Sequence, residues 1–356
     1  MPARRCRIAL LGFGTVGSAV ARRFVERLDH GPVGPDTLAR LTLTHILDRR
    51  AALKQARHPE LASATWTTAI DDILRSDADV VVEAIGGVDP AAAWIEAALM
   101  AGKSVVTANK QVIAHDGVRL LRVAERQGRQ LRFEAAVGGA MPILRAVGDG
   151  LAGDRATRIV AILNGTTNAV LSQMDACGCS LDAALADARV RGLAEADPSA
   201  DLDGDDARAK LAILCALAFG IRVEPSQIPV RSCAAIGLAD VAAARRGGGT
   251  IRQIARAEYD YEHATLTASV APETVPLSSI FARTAGPANA AIVTGEHSGE
   301  TGIFGVGAGG DATAVAILSD LVAIARDLAA VVPAPHLTSA FSLQTSTFTL
   351  PSEVAC

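Results

Sequence analysis

Aromatic residues are scarce in this chain: two tryptophans, two tyrosines and eight phenylalanines among 356 residues. Alanine, valine, leucine and glycine fill the interior instead, which fits tightly packed α/β layers. Charge of one sign is also lacking. The formal net charge is -4, so neither nucleic acid nor an anionic membrane surface is an expected partner. The cysteines at 6, 177, 179, 215, 233 and 356 form no paired framework, and a Cys177/Cys179 spacing is not that of a zinc ribbon. Reduced thiols and a cytoplasmic location are expected. No uninterrupted apolar run is long enough to cross a bilayer. The opening Met-Pro-Ala-Arg-Arg runs straight toward a strand, without the apolar segment of a signal peptide.

What is present divides into two domains, because 356 residues exceed one ordinary core. Residues 7–12 read as a buried strand. Gly12-Phe13-Gly14-Thr15-Val16-Gly17 follows, and then a helical pattern through Val20, Phe24, Val25 and Leu28. G-x-G-x-x-G between a strand and a helix is a dinucleotide fingerprint. Its first glycine permits the turn, its second lets a pyrophosphate approach, and its third lets helix and strand pack. The helix N-terminus offers N–H groups and a positive dipole end to phosphates. A second strand fits 41–47 and ends at Asp48, the position of an acid that holds the ribose hydroxyls of NAD. Residues 29–40 form an inserted loop before it. Arg49 and Arg50 follow at once; they meet the extra phosphate of NADP or form a solvated turn. NAD is favoured, because Asp48 repels that phosphate.

Residues 79–87 make the next strand, ending in Gly86 and Gly87, and 104–110 another, ending in Thr107, Asn109 and Lys110. A crossover helix over 90–100 joins them. In an open parallel sheet the ligand lies outside the carboxyl ends of the strands, so Gly86, Thr107 and Lys110 border the cofactor. A lysine facing water is the plainer alternative for Lys110.

The densest chemistry lies at 195–210. Glu195, Asp197, Asp201, Asp203 and Asp205 precede Asp206 and Lys210, which stand four residues apart on one helical face. An exposed pair of that kind contributes only about 0.3–0.5 kcal/mol. Five acids just ahead of it point instead to a small cationic substrate and a proton transfer. A calcium loop starting at Ser199 fails, since its twelfth position is Lys210 where a glutamate is needed.

Gly12–Gly17, Thr107-Ala-Asn-Lys110, Asn164-Gly-Thr-Thr-Asn168, Ala194-Glu-Ala-Asp-Pro198 through Lys210, and Gly305-Val-Gly-Ala-Gly-Gly310 followed by Thr313 occur in order. Together they resemble homoserine dehydrogenase over roughly residues 7–328. The resemblance implies an NAD(P)-dependent oxidoreductase that interconverts L-homoserine and L-aspartate 4-semialdehyde, in threonine, methionine and isoleucine biosynthesis. It implies Lys210 as proton donor with Asp206 as its partner, and Glu195 as receiver of the substrate ammonium. Asp201 is a further acid of the pocket, Gly165 and Thr166 a substrate-contacting turn, and Lys110 a lysine near both cofactor and substrate. Glu134, Val137, Gly139 and Met141 match a monovalent-cation site, for example for sodium, built largely of backbone carbonyls. Gly309 matches a glycine that returns to the cofactor. Leu193 and Ala169 replace aromatic residues of many relatives, and Val306 and Ala312 replace prolines, which puts fine substrate affinity in doubt. A dehydrogenase of similar layout acting on another amino acid, and a catalytically silent nucleotide-binding protein, are the competing readings.

The expected architecture is an α/β Rossmann-type nucleotide-binding domain (1–135, completed by a helix within 305–330) and a second α+β substrate and dimerisation domain (136–304). The latter has strands at 158–163, 264–270, 290–294 and 301–304 and helices at 167–176, 181–190 and 206–219. Its sheet is expected to be covered on one face and to pair between subunits in a homodimer. No amino-acid-sensing ACT module is expected in the short tail 331–356.

Overall fold

The computed structural model describes residues 5–26, 41–329 and 347–348. The inserted loop at 29–40, Leu28 and nearly all of the 331–356 tail lie outside the described residues. The chain divides into two compact units. The first runs to Ala136 and resumes at Gly309; the second runs from Val137 to Ala308. No helix among the described residues is long and apolar enough to cross a membrane.

The first unit holds β1 (Cys6–Leu11), β2 (Leu41–Leu47), β3 (Thr65–Thr67), β4 (Val80–Glu83), β5 (Ser104–Thr107) and β6 (Leu131–Arg132) in one sheet of order β3-β2-β1-β4-β5-β6. Every pairing is parallel. Parallel sheets are buried on both faces, hence the near-continuous Val80-Val-Val and Ile8–Leu11 runs. The strand order reverses between β1 and β4, the place where doubly wound sheets bind ligands. Helices α1 (Thr15–Val25), α2 (Ala51–Arg57), α3 (Ile70–Arg75), α4 (Ala91–Met100) and α5 (Lys110–Arg126) connect the strands. The C-terminal helix Gly310–Ala329 packs through Ile317, Leu321 and Ile324 into the core shared by β1 and α1. It lies within the expected 305–330 segment, whose first two residues, Gly305 and Val306, belong instead to a strand of the second unit. Asn109 and Lys110 do not end β5, which stops at Thr107. Asn109 instead caps α5 by accepting the Val112 N–H, and Lys110 is its first residue.

The second unit is built on an antiparallel sheet of β7 (Ala156–Ile162), β8 (Gly249–Asp260), β9 (Thr265–Pro276), β10 (Ala288–Gly295) and β11 (Gly299–Val306), in the order β11-β10-β7-β8-β9. Residues 347–348 add a short parallel strand beside β9. Helices α6 (Gly165–Cys177), α7 (Leu181–Val190), α8 (Ser199–Leu202), α9 (Asp205–Phe219), α10 (Leu238–Arg246) and α11 (Ile280–Arg283) complete it. Asn164 caps α6 and Ser180 caps α7, each accepting an N–H three residues on. Gly178 ends α6 at φ 62°, where a left-handed residue is required. Helix α9 is buried nearly all round, from Leu211 through Leu217, which marks it as the central helix of the unit.

The 12-residue strand β8 was not expected. Arg252, Arg256 and Glu258 break its apolar run in sequence. Alternation explains them: they point to one face, while Ile251, Ala255, Ala257 and Tyr259 point to the other. Arg252 is nonetheless buried, donating to Thr250 Oγ1 and to the carbonyls of Ile251 and Ala282. The sheet is not covered on one face alone. One face carries α6 and α9. On the other, Phe281 of α11 covers Ile254 and Val275, leaving Arg256, Glu258, Ile292 and Phe304 more open.

The Asn168 amide nitrogen reaches the carbonyls of Thr284, Gly286 and Ala288 at 3.0–3.1 Å, pinning the turn before β10 onto α6. Asn168→Ala leaves those carbonyls without that donor and should lower stability by about 2 kcal/mol. Urea unfolding measures this; an unchanged midpoint would show that the turn needs no such clip.

Candidate active site

In the first unit, the protein itself dictates two of the three fingerprint glycines. Gly12 sits at φ +92°, and a Cβ there would lie 2.6 Å from the Ala84 carbonyl oxygen; one at Gly17 would lie 2.0 Å from the Gly12 oxygen. A Cβ at Gly14 would meet nothing within 4 Å. Gly14 therefore faces open space, and its lack of a side chain serves an approaching ligand. Gly14 is also the N-cap of α1 and supplies no side-chain acceptor, which leaves first-turn N–H groups for an anion. Thr15 is exposed and Val16 half-buried beside it. These features fit a dinucleotide pyrophosphate.

Phe13 turns inward, its ring 4.9 Å from both His58 and Trp66. Its N–H donates to Asp48 Oδ2 at 3.0 Å. Asp48 also accepts from the Arg50 N–H and, at 2.6 Å, from Lys54 Nζ. Burial pushes the Asp48 carboxyl up, but the Lys54 hydrogen bond and the two backbone donors outweigh it and leave it below its ordinary value. Lys54, which the sequence did not single out, additionally donates to the Phe13 carbonyl at 2.6 Å. Arg49 is exposed.

Glu83, at the end of β4, is fully buried. Its carboxylate accepts from the N–H groups of Ile85 and Gly86 and from the Thr107 hydroxyl. Thr107 Oγ1 accepts from the Asn109 N–H at 2.9 Å, and Asn109 Nδ2 donates to the Gly87 carbonyl at 2.6 Å. One chain of hydrogen bonds thus ties the Gly86-Gly87 loop to the turn that presents half-buried Lys110. Gly309, at φ +114°, precedes the C-terminal helix; a Cβ on the next residue, Gly310, would lie 2.9 Å from the Thr15 oxygen. Gly309 accordingly stands beside the glycine loop.

In the second unit, Lys210 and Asp206 are both buried. Lys210 Nζ donates to Asp206 Oδ2 and to the Leu163 carbonyl, each at 2.8 Å. Asn164 Nδ2 donates to the same Asp206 oxygen at 2.8 Å and to Asp201 Oδ1 at 2.7 Å. The pair is therefore no exposed helix pair. Burial pushes the Asp201 carboxyl up and the Asp206 charge adds to this, against the Asn164 hydrogen bond and the Lys210 charge. The Thr166 hydroxyl donates to the Leu193 carbonyl at 2.8 Å. Gly165 is required locally, since a Cβ would lie 2.8 Å from the Pro287 oxygen. Glu195 is placed differently from the other acids: it is exposed on the turn before α8. In the sequence, Asn164 stands out only as part of the Asn164–Asn168 motif. A signal for it existed, an asparagine between a strand and a helix, but it spoke for capping alone.

Glu134 is buried in the first unit, its N–H donated to Asp320 Oδ2 at 2.9 Å. Val137, Gly139 and Met141 open the second unit. Gly139 is held at φ +59°, where a Cβ would lie 2.6 Å from the Gly307 carbonyl, and the Met141 carbonyl accepts the Ile143 N–H. Among the described residues no group of three or more His, Cys, Asp and Glu could hold a metal ion.

Known proteins resemble this chain in sequence and fold. The profile for the homoserine dehydrogenase NAD-binding domain matches residues 12–134, and that for homoserine dehydrogenase matches residues 142–322. A homoserine dehydrogenase of Corynebacterium glutamicum is 39% identical over 332 residues, covering 92% of this chain and 73% of that protein. A solved homoserine dehydrogenase from Thiobacillus denitrificans superimposes with a TM-score of 0.88 at 31% identity, over 98% of this chain and 80% of that one. A hyperthermophilic archaeal homoserine dehydrogenase, solved in complex with NADPH, gives a TM-score of 0.73 at 25% identity, over 94% of this chain and 99% of that one. With both halves of the chain matched in order, and with a parallel nucleotide-binding sheet in one unit and an antiparallel sheet in the other, the chain belongs to the homoserine dehydrogenase family.

Proposed function

We propose that this NAD(P)-dependent oxidoreductase oxidises L-homoserine to L-aspartate 4-semialdehyde, and reduces it back, with Lys210 moving the hydroxyl proton. The buried Lys210–Asp206 pair carries this reading. Two of the three ammonium N–H bonds are directed at Leu163 O and Asp206 Oδ2; the third addresses the substrate oxygen. When the hydroxyl carbon loses hydride, the neutral amine takes the hydroxyl proton. In reverse, the ammonium gives a proton to the forming alkoxide and stabilises its charge. Asp206 balances the lysine charge in this buried setting. Glu195 receives the substrate ammonium, and Asp201 is a further acid of the pocket. The first turn of α6, at Gly165 and Thr166, presents N–H groups to the substrate carboxylate.

The nicotinamide cofactor, when bound, supplies the hydride acceptor or donor. Gly12, Gly14 and Gly17 with the N-terminus of α1 would hold its pyrophosphate, Asp48 its ribose, and Gly86, Thr107, Lys110 and Gly309 its nicotinamide end. The preference for NAD rested on Asp48 repelling a 2′-phosphate. Lys54, at 2.6 Å, offsets that charge, so both dinucleotides are accepted and NAD has at most a modest advantage. A monovalent cation such as sodium would take Glu134 and the carbonyls of Val137, Gly139 and Met141.

A homodimer belongs to the same proposal. On the open face of the second sheet, Phe304 is 72% and Val306 52% exposed, next to half-buried Ile292. These exposed apolar side chains, on a face that also carries Arg256 and Glu258, suit contact with a second copy of the chain.

Cofactor reduction on adding L-homoserine is the direct assay; turnover of another amino acid in its place would favour the competing dehydrogenase. Lys210→Ala should keep cofactor affinity and lose turnover by about 10²–10⁴-fold; undiminished turnover would remove Lys210 as the proton carrier. Glu83→Gln puts an amide opposite the Thr107 hydroxyl and should weaken dinucleotide binding about tenfold in a fluorescence titration; equal affinity would show that the loop holds its shape without this carboxylate. Phe304→Glu should convert the dimer to monomer in sedimentation velocity, and a variant that still sediments as a dimer would place the interface elsewhere.

A further inference from the structure

We propose that Asn164 is the positioning residue of the substrate site: its one amide nitrogen joins Asp201, a further acid of the pocket, to the Asp206–Lys210 pair that moves the proton. The inference rests on the reading of those three residues given above.

Both amide N–H bonds of Asn164 are in use, one toward Asp201 Oδ1 at 2.7 Å and one toward Asp206 Oδ2 at 2.8 Å. Its Oδ1 accepts the Thr167 N–H at 2.7 Å. This last bond fixes the orientation of the amide. Flipped, it would turn its oxygen toward two carboxylates and its nitrogen toward another donor. Two neighbouring carboxylates repel each other and favour protonation of one. A shared neutral donor between them removes the need for that proton. The preceding residue completes the arrangement, because the Leu163 carbonyl accepts from Lys210. The two residues that link β7 to α6 therefore set all three charged groups.

Two carboxylates and a single lysine leave the pocket suited to a substrate ammonium. The titratable groups facing Asp201 are Asp206 and Lys210 of α9; the cap and first turn of α6 contribute Asn164 and Thr166 and β8 contributes Gln253, none of which titrates in the working range. Burial already pushes the Asp201 carboxyl up, and the Asn164 hydrogen bond acts against this. A hydrogen bond to the charged form favours that form, so its loss raises the carboxyl further. Protonated Asp201 no longer adds its negative charge to a pocket that takes a cationic substrate. Substrate capture should then fail at a higher pH than in the wild type.

Asn164→Ser separates this role from helix capping. Serine caps helices about as well as asparagine, yet it has no amide to share between the acids. The experiment follows kcat/KM for L-homoserine, and the KM of the dinucleotide, from pH 5.5 to 9.5 in the full chain. The acid limb for homoserine should move to higher pH, with KM rising several-fold near pH 6 and much less near pH 9. The dinucleotide KM should stay within about twofold. Asn164→Asp is the second variant: it also caps the helix, it adds a third carboxylate, and its acid limb should move in the same direction, so the test stands if the serine variant does not fold. An acid limb that stays in place, or a homoserine KM raised by one factor at every pH, overturns the inference alone. A wild-type protein inert toward homoserine overturns it together with the proposed activity.

Discussion

A lysine ammonium inside a protein has to be matched by charge and by hydrogen-bond acceptors, and the second unit is arranged around that requirement at Lys210. Its acceptors come from two separate elements, Asp206 on its own helix and Leu163 O at the end of β7. An unmatched buried ammonium would be strongly disfavoured. Helix α9 must therefore lie against the end of β7 with its first turn beside Asn164. Gly204 makes that possible: at φ +82° it turns the chain from α8 into α9, and a Cβ there would lie 2.6 Å from Val230 Cγ1. Asp201 and Asp206 are thus brought to one amide from different helices.

The first unit solves a related problem without an ammonium. Glu83 is a fully buried carboxylate satisfied by two backbone N–H groups and one hydroxyl. Its partners are the loop after β4 and the end of β5, adjacent strands of the parallel sheet. Parallel strands end together on one side, so a single acid at that edge can organise two loops at once. Two of the glycines of the fingerprint answer to backbone crowding. The third, Gly14, answers to nothing in the protein, which is how a vacant approach to the helix N-terminus shows itself.

Much of this was legible in the sequence. Strand 41–47 and helix 181–190 fall where the residue pattern puts them, because each rests on local periodicity and an ordinary cap. The glycine fingerprint was legible for the same reason, since backbone requirements are written in the residues that meet them. Strand β8 was not legible, because Arg252 looks like an exposed residue until its carbonyl acceptors are known. Helix α5 was hidden for another reason: Asn109 and Lys110 were read as the end of a strand, although an asparagine there caps the following helix.

The sequence alone determined the two-part organisation, the nucleotide-binding turn and the residues from which a proton carrier could be chosen. Only the tertiary structure decided that Lys54 sits on Asp48, that Glu195 stands apart in solvent, and that Asn164 joins Asp201 to Asp206 across 37 and 42 residues of chain. The reason is physical. Periodicity and backbone conformation are local properties, whereas the partner of a buried polar group is whichever group the folded chain brings within hydrogen-bond distance.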